Sequence, residues 1–266
     1  MRRGWWRNWW GAVLAGWAGA AVLGAGWGAA VNEVVLARMF AMPGPQLWLG
    51  ADELGRAILP RVIVGAGISA PLAGGVVLGS LVVGAAVGVC AGWRGGWFDA
   101  AIARVMDLFM AFPGLLLAIA LAGLLGPGLA NVAIALAVVG WVGFARLARA
   151  QTAALKARDH VLVARALGTP TWRILGVHVL PLLAGPLVVE ATFAFAATIA
   201  AEAGLSFLGL GAQPPTPTWG NMLREATHFL LIAPHMLLGP GVAIVSLVMA
   251  VQAAGERLRV RWEVPR

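Results

Sequence analysis

Long uncharged stretches recur along this chain, and they limit its fold more than any other feature of the sequence. The longest extends from residue 108 to residue 145 without one Asp, Glu, Lys or Arg. As a helix with a rise of 1.5 Å per residue, it would be roughly 57 Å long, nearly twice the ~30 Å hydrocarbon core of a bilayer. Gly126, Pro127 and Gly128 interrupt the stretch. It therefore predicts two membrane-spanning helices joined by a turn.

The other apolar runs complete a pattern of six spans. The chain is 61% hydrophobic and 11% charged, which is more apolar surface than one soluble core can enclose. We predict an all-α polytopic membrane protein with about six transmembrane helices. Residues 1–67 would hold the N-terminal tail, the first transmembrane helix and an extracytoplasmic loop, and residues 68–266 a five-helix transmembrane domain that includes the loop 149–181. The spans begin or end near residues 9–31, 62–93, 108–126, 128–146, 182–201 and 229–252.

Basic residues are distributed unevenly between the two faces that six spans define. The face that carries both termini holds 15 of the 19 Lys and Arg residues, including Arg2, Arg3 and Arg7. Because Lys and Arg concentrate on the cytoplasmic side of membrane proteins, we expect both termini and the loop 149–173 in the cytoplasm of a multi-pass cell-membrane protein. The net charge of +8 then reflects orientation, and no nucleic-acid partner is expected.

The sequence lacks the residue patterns of a nucleotide-binding loop, of a disulfide and of a metal or catalytic site. The only lysine, Lys156, is followed by Ala157, so no phosphate-binding G-x-x-x-x-G-K-[ST] loop is present and any ATP must be bound by another polypeptide. The single cysteine, Cys90, has no partner in the chain. No H-E-x-x-H and no cluster of carboxylates accompanies the histidines. We expect no catalytic residue, no bound cofactor and no metal in this chain, and hence no enzyme.

Two histidines and two acids leave alternatives open. His228 and His235 are seven residues apart, which would place them on one helical face as structural histidines or as metal contacts, although Pro234 between them weakens that spacing. Glu190 and Glu202 fall within or near the fifth span. A carboxylate there is costly unless it faces protein or water, so we interpret both as residues that line a polar pathway or form structural hydrogen bonds.

The polar segment from Asp159 to Pro181 predicts a short helix, a break and a second short helix. Gly168 tolerates the positive φ of a helix stop, Thr169 suits the N-cap and Pro170 the first helical position. Pro181 would mark the start of the fifth span. The small Ala164 and Ala166, with nearby arginines and Trp172, would suit a soluble partner, while an ordinary structural loop remains the alternative.

This segment resembles the cytoplasmic coupling loop, the EAA motif, of binding-protein-dependent ABC importer permeases. Ala164, Gly168 and the pair Leu180-Pro181 match the motif, whereas Leu162 and Val163 replace its usual Glu and Ala. Three more segments resemble the dipeptide, oligopeptide and nickel branch of that family: residues 52–56 (DELGR), 201–211 (AEAGLSFLGLG) and 213–220 (QPPTPTWG).

The resemblance implies one permease half of an ATP-driven importer. Its partners would be a second permease subunit, two cytoplasmic ATPase subunits that bind ATP and magnesium, and an extracytoplasmic solute-binding protein. The solute would be a dipeptide or oligopeptide, or alternatively nickel. An ATP-independent channel or secondary transporter and a membrane-embedded enzyme are the competing hypotheses. The implied ATPase-coupling residues are Asp159, His160, Val161, Ala164, Arg165, Ala166, Leu167, Gly168, Thr169, Pro170, Trp172 and Pro181.

Overall fold

Ten α-helices account for most of residues 9–263, the part of the chain that the computed structural model describes. Pairing between extended segments is limited, in that range, to two isolated bridges in the loop after the first helix. The basic residues Arg2, Arg3 and Arg7 lie outside the described residues. The helices are α1 (Trp9–Trp27), α2 (Ile58–Arg94), α3 (Gly96–Met110), α4 (Gly114–Leu125), α5 (Leu129–Lys156), α6 (Asp159–Ala166), α7 (Thr171–Ile174), α8 (Leu180–Phe207), α9 (Trp219–His228) and α10 (His235–Glu263).

Four helical stretches are long and apolar enough to cross a membrane: Ile58–Arg94, Leu129–Lys156, Thr171–Phe207 and His235–Trp262. A fifth crossing results if α3 and α4, which meet at an angle of 82°, act together as one broken span. The first of the six predicted spans corresponds to α1, a shorter apolar helix. The predicted all-α membrane architecture is confirmed, with four or five spans by length and composition. The division predicted between residues 67 and 68 falls within α2, which is continuous there.

The turn between α4 and α5 has the form that its glycines predict. Gly126 and Gly128 adopt φ values of +87° and +149°. The Asn131 side chain donates hydrogen bonds to the carbonyl oxygens of Leu125 (2.9 Å) and Gly126 (3.0 Å), two of the carbonyls that the end of α4 leaves without helical partners. The predicted break in the longest apolar run is therefore a capped helix end followed by a new helix.

A row of glycines brings α2 and α5 into backbone contact at the centre of the fold. Gly84, Gly88 and Gly92 recur every fourth residue and so share one face of α2. A Cβ atom at Gly88 would collide with the carbonyl oxygen of Ala145 and lie 2.9 Å from its neighbour Ala148 Cβ. Small residues at this spacing let helices in a membrane approach closely. The pair α2 and α5 thus forms the frame on which α8 and α10 pack.

Helix α9, between α8 and α10, is fixed to that frame by Trp219. Its buried indole donates a hydrogen bond of 2.9 Å from Nε1 to the carbonyl oxygen of Val62. Gly65 leaves room for the ring, because a Cβ there would lie 2.8 Å from Trp219 Cδ1. The Thr218 side chain caps α9 by accepting a hydrogen bond from the backbone N–H of Asn221.

Candidate functional site

The short helix α6 lies against the membrane helices through one face. Val161 is fully buried and Ala164 nearly so, and both belong to a core cluster with Phe144 of α5 and Leu183 of α8. Ile174 of α7 is buried in the same cluster. We therefore correct one prediction: Ala164 faces the interior of this chain and is not available to a partner, whereas Ala166 is exposed.

The opposite face of α6 and α7 presents apolar side chains that nothing in residues 9–263 covers. Leu162 is 48% exposed, Leu167 79% and Trp172 72%, and Val163 is exposed as well. Asp159, His160 and Arg165 surround them as exposed polar residues. Exposed large apolar residues ringed by charge are typical of a protein-binding surface. The two positions that depart from the family motif, Leu162 and Val163, lie on this face.

Gly168 ends α6 as predicted, in a left-handed conformation with φ +75°. The N–H of Gly168 donates a hydrogen bond to the carbonyl oxygen of Arg165, and the N–H of Thr169 donates one to the carbonyl oxygen of Ala164. Both hydrogen bonds are 3.0 Å long. The predicted capping is wrong by one residue, because Pro170 occupies the N-cap of α7 and helical residues begin at Thr171. The cause is the hydrogen bond from Thr169 back to α6, which keeps Thr169 in the turn.

The second half of the segment is continuous with a membrane helix. A π-helical turn, Leu175–Val179, joins α7 to α8, and the whole stretch Thr171–Phe207 forms one helical path. Pro181 follows this π-helical turn as the second residue of α8. The sequence had suggested that Pro181 separates the coupling segment from the span. In the structure the helix is continuous across Pro181. A displacement of α7 would act directly on α8.

Cations at the end of α5 and on α6 converge on Trp93, at the end of α2. Lys156 Nζ lies 5.9 Å from the ring centroid of Trp93, and Arg165 Cζ lies 5.7 Å from it. These separations suit cation–π attraction. Nearby, Arg149 of α5 forms a bidentate ion pair with Asp99 of α3, in which Nη2 lies 2.7 Å from Oδ2. These contacts join α6 to α2, α5 to α2, and α5 to α3.

A cavity of about 850 Å³ lies between α5, α8 and the end of α10. Its lining includes the charged or polar side chains of Gln151, Glu190 and Arg259 and the aromatic side chains of Phe193 and Trp262. Glu190 is half-buried and lies midway along the helical path Thr171–Phe207. A cavity with these side chains is suited to an organic solute that carries charge.

The second acid, Glu202, occupies a different environment. It is completely buried and accepts a hydrogen bond of 2.7 Å from Ser206 Oγ, one helical turn away. It is not among the residues that line the cavity at Glu190. Twelve residues of helix separate the two acids, which amounts to about 18 Å along α8. The structure therefore does not bring Glu190 and Glu202 together in one site.

The two histidines at the other end of the fold do not share a helical face. His228 ends α9 and His235 begins α10, so the predicted common helix is wrong. Residues 229–234 form a turn between them that includes Pro234. His235 is buried, and its Nε2 lies 3.3 Å from the carbonyl oxygen of Ala51. This contact packs His235 against the loop between α1 and α2.

Sequence reasoning missed a buried ion network beside α9. Arg56 binds Asp52 (Nε to Oδ2, 2.6 Å) and Glu53 (Nη2 to Oε1, 2.8 Å) in the loop between α1 and α2. Arg56 and Arg61 each place a guanidinium nitrogen 3.4 Å from Glu225 Oε2. The motif DELGR was interpreted only as a family resemblance. Its Asp and Arg are four residues apart, and this spacing already indicated a possible ion pair. The network joins this loop to α2 and α9.

Burial dominates the electrostatics of Glu225. It raises the pKa of the Glu225 carboxyl, against the opposing effect of Arg61, because the charged form loses hydration. Oxygens of Asp52, Glu53 and Glu225 lie within 4.8 Å of one another, an arrangement that resembles a cation site. The guanidinium groups of Arg56 and Arg61 already contact these carboxylates, so the chemistry of the cluster is that of an ion-pair network.

Comparisons with known proteins agree with this architecture. Residues 81–258 match the family described as binding-protein-dependent transport system inner membrane component. A glutathione transport system permease protein of Pectobacterium atrosepticum is 43% identical over 219 residues, which are 82% of this chain and 72% of the relative. A dipeptide transport system permease protein of Alkalihalophilus pseudofirmus is 40% identical over 217 residues, 82% of this chain and 71% of the relative.

The fold also has a solved counterpart. A chain of a methionine ABC transporter in an inward-facing conformation superimposes with a TM-score of 0.63 at 19% sequence identity, covering 82% of this chain and 99% of that one. At this identity the likeness concerns the arrangement of the helices. It does not extend to the solute or to the residues of a binding site.

Proposed function

We propose, because this chain belongs to the family of inner membrane components of binding-protein-dependent transport systems, that it carries short peptides across the membrane. The chain is a transport component and not an enzyme, and ATP hydrolysis belongs to separate subunits. Relatives whose names specify dipeptide and glutathione transport support a peptide solute. Glutathione is itself a small peptide, so the two names agree on the chemistry.

The exposed face of α6 and α7 is the observation that carries the coupling part of the proposal. Leu162, Leu167 and Trp172 supply apolar contact area, and Val161 on the opposite face ties α6 to the membrane core. We assign this surface to an ATPase subunit that binds ATP and magnesium. The continuous helix from α7 into α8 supports this assignment, because force applied at the surface reaches a membrane span.

A second permease subunit is proposed to cover part of α8. Only 22% of the most apolar 18-residue stretch of Thr171–Phe207 is buried, compared with 33% to 39% of the corresponding stretches in the other three long spans. We propose that Glu190 and its cavity line the pathway between the two permease subunits, and that Glu202 has a packing role. In this assembly two ATPase subunits occupy the cytoplasmic side, together with both termini, and a solute-binding protein docks on the other side.

Two alternatives have weaker support. Nickel uptake occurs in the branch that the sequence resembles, but among the side chains that the structure describes the cavity at Glu190 is lined by no histidine, cysteine or second acid. An ATP-independent channel or secondary transporter would use Glu190 as a coupling acid. Membership in a family of ATP-driven systems argues against that alternative.

The test is uptake by the complete transporter in proteoliposomes. The chain is purified with its copurifying subunits, reconstituted with its binding protein, and supplied with ATP and magnesium inside the vesicles. We expect ATP-dependent accumulation of radiolabelled dialanine or glutathione, and none of radioactive nickel. Accumulation of nickel alone would overturn the peptide assignment, and accumulation without ATP would overturn the coupling assignment.

A further inference from the structure

The cavity beside Glu190 shows what kind of chemical group the proposed pathway binds. The Glu190 carboxylate borders a space of about 850 Å³. Among residues 9–263 no hydrogen bond or ion pair is made to this carboxylate, in contrast to Glu202, which accepts one from Ser206. An ionised acid inside an apolar span is costly unless water or a cation stabilises it. The structure therefore leaves Glu190 with the capacity to receive a cation.

The lining of the cavity around Glu190 is suited to such a group. Gly143 of α5 leaves space for the carboxylate itself, since a Cβ atom there would come within 3.1 Å of Glu190 Oε1. Gln151 of α5 also lines the cavity and carries no charge. Phe193 and Trp262 line it as well, and aromatic rings attract ammonium ions. Arg259, the cationic residue in the lining, forms an ion pair of 3.6 Å with Glu256 on its own helix.

We infer that Glu190 binds the ammonium group of the transported solute, which for a peptide is its amino terminus. The inference rests on the proposed function for the identity of the solute, but the charge preference of the site is independent of it. A divalent metal ion is a poorer candidate, because the described lining offers one carboxylate and one amide without His or Cys, which do not form a selective transition-metal site. The amino terminus distinguishes free peptides from blocked ones, so Glu190 would contribute to specificity.

The experiment measures the electrical character of the cavity with a cysteine reporter. Cys90 is the only cysteine of this chain, so Cys90→Ala removes its thiol, and any cysteines of the copurified subunits are substituted in the same background. Gln151→Cys then places one thiol in the cavity, and Trp97→Cys, at a position that is 82% exposed, serves as the reporter outside it. The purified complex in nanodiscs is treated with methanethiosulfonate reagents that carry either an ethylammonium or an ethylsulfonate group. The ratio of the two reaction rates is compared with and without Glu190→Gln.

We expect the cation-to-anion ratio at Gln151→Cys to fall on the order of tenfold in Glu190→Gln, because one nearby charge acts in opposite senses on the two reagents. The ratio at Trp97→Cys should not change. Dialanine with a free amino group should slow modification at Gln151→Cys, N-acetyl-dialanine should not, and the difference should vanish in Glu190→Gln.

The outcomes separate this inference from the peptide proposal. An unchanged ratio in Glu190→Gln, equal protection by the free and the acetylated peptide, or no reaction at Gln151→Cys would each overturn the ammonium site. If the wild-type transporter does not accumulate peptides but the ratio depends on Glu190, the peptide assignment fails and the cation preference of the cavity stands.

Discussion

Lys156 Nζ donates a hydrogen bond of 2.5 Å to the backbone carbonyl oxygen of Trp93 and so joins the end of α5 to the end of α2. That carbonyl belongs to the last turn of α2, where the backbone lacks a helical donor. The Trp93 ring also attracts Arg165 on α6. One residue therefore connects two membrane helices with the proposed coupling surface.

We predict that Trp93→Leu uncouples transport. Each cation–π contact contributes about 0.5–1 kcal/mol, and the substitution removes the ring from both Lys156 and Arg165. The ATPase should still associate, because Leu162 and Trp172 are unchanged. Peptide uptake per ATP hydrolysed should fall roughly three- to tenfold, measured in proteoliposomes, and Trp93→Phe should restore most of it. Trp97→Leu, on an exposed neighbouring tryptophan, is the control, and an unchanged ratio in Trp93→Leu would contradict the connection.

We predict that Gly168→Val disrupts the turn between α6 and α7. A residue with a side chain costs about 1–2 kcal/mol at the positive φ of Gly168, and a β-branched one costs more. Copurification of the ATPase and peptide uptake should both decrease about tenfold, and Gly168→Asn should be milder because Asn tolerates this conformation. Gly176→Val is the matched control: added Cβ atoms meet no neighbour at either position, so only the backbone conformation differs. Equal effects at the two glycines would show that φ is not the cause.

Much of this architecture could be predicted because it depends on local patterns. Uncharged runs mark the spans, Gly126 and Gly128 mark the turn between α4 and α5, and Gly168 marks the end of α6. Each of these signals acts over a few residues. The recurrence of glycine at every fourth position in α2 was equally visible and indicates close helix packing, although its partner α5 is apparent only in the structure.

The misplaced features depend on tertiary contacts. Ala164 turns inward because α6 must cover the apolar cluster around Phe144, which no spacing within α6 reveals. Pro181 lies inside a continuous helical path because a π-helical turn precedes it. The ion network unites Arg61 and Glu225, which are 164 residues apart in the sequence. The position of Glu190 beside a cavity likewise follows from how α5, α8 and α10 meet.

We predict that Gly88→Ala destabilises the protein far more than the same substitution at Gly79. Both glycines lie on α2, but a Cβ atom at Gly88 meets the backbone of α5, whereas at Gly79 it meets nothing within 4 Å. Alanine is otherwise the better helix former by about 1 kcal/mol. Overpacking of this kind costs about 1–3 kcal/mol, so Gly88→Ala should lower the Tm by several degrees, measured by fluorescence-detected size-exclusion chromatography after heating. Equal Tm values would contradict the backbone contact between α2 and α5.

We predict that Glu225, on α9, makes the stability of the protein depend on pH. Burial raises the pKa of its carboxyl above the unfolded value, so the folded state binds the proton more tightly than the unfolded chain. The resulting stabilisation is complete below the unfolded pKa of about 4.3 and is lost as the pH rises through the folded pKa. Glu225 faces Arg56 and Arg61 as well as the acids Asp52 and Glu53. A test of its charge therefore needs a substitution that keeps the shape of the side chain among these neighbours.

Glu225→Gln mimics the protonated carboxyl and supplies the comparison. The variant should have a higher Tm than the wild type at pH 8, and the difference should close as the pH falls towards 4, because the wild-type side chain then becomes neutral as well. Glu256→Gln, on an exposed ion pair at the end of α10, controls for the removal of one negative charge and should show no such trend. A wild type that is more stable than Glu225→Gln at pH 8 would mean that the ion pairs with Arg56 and Arg61 outweigh the cost of burying the carboxylate.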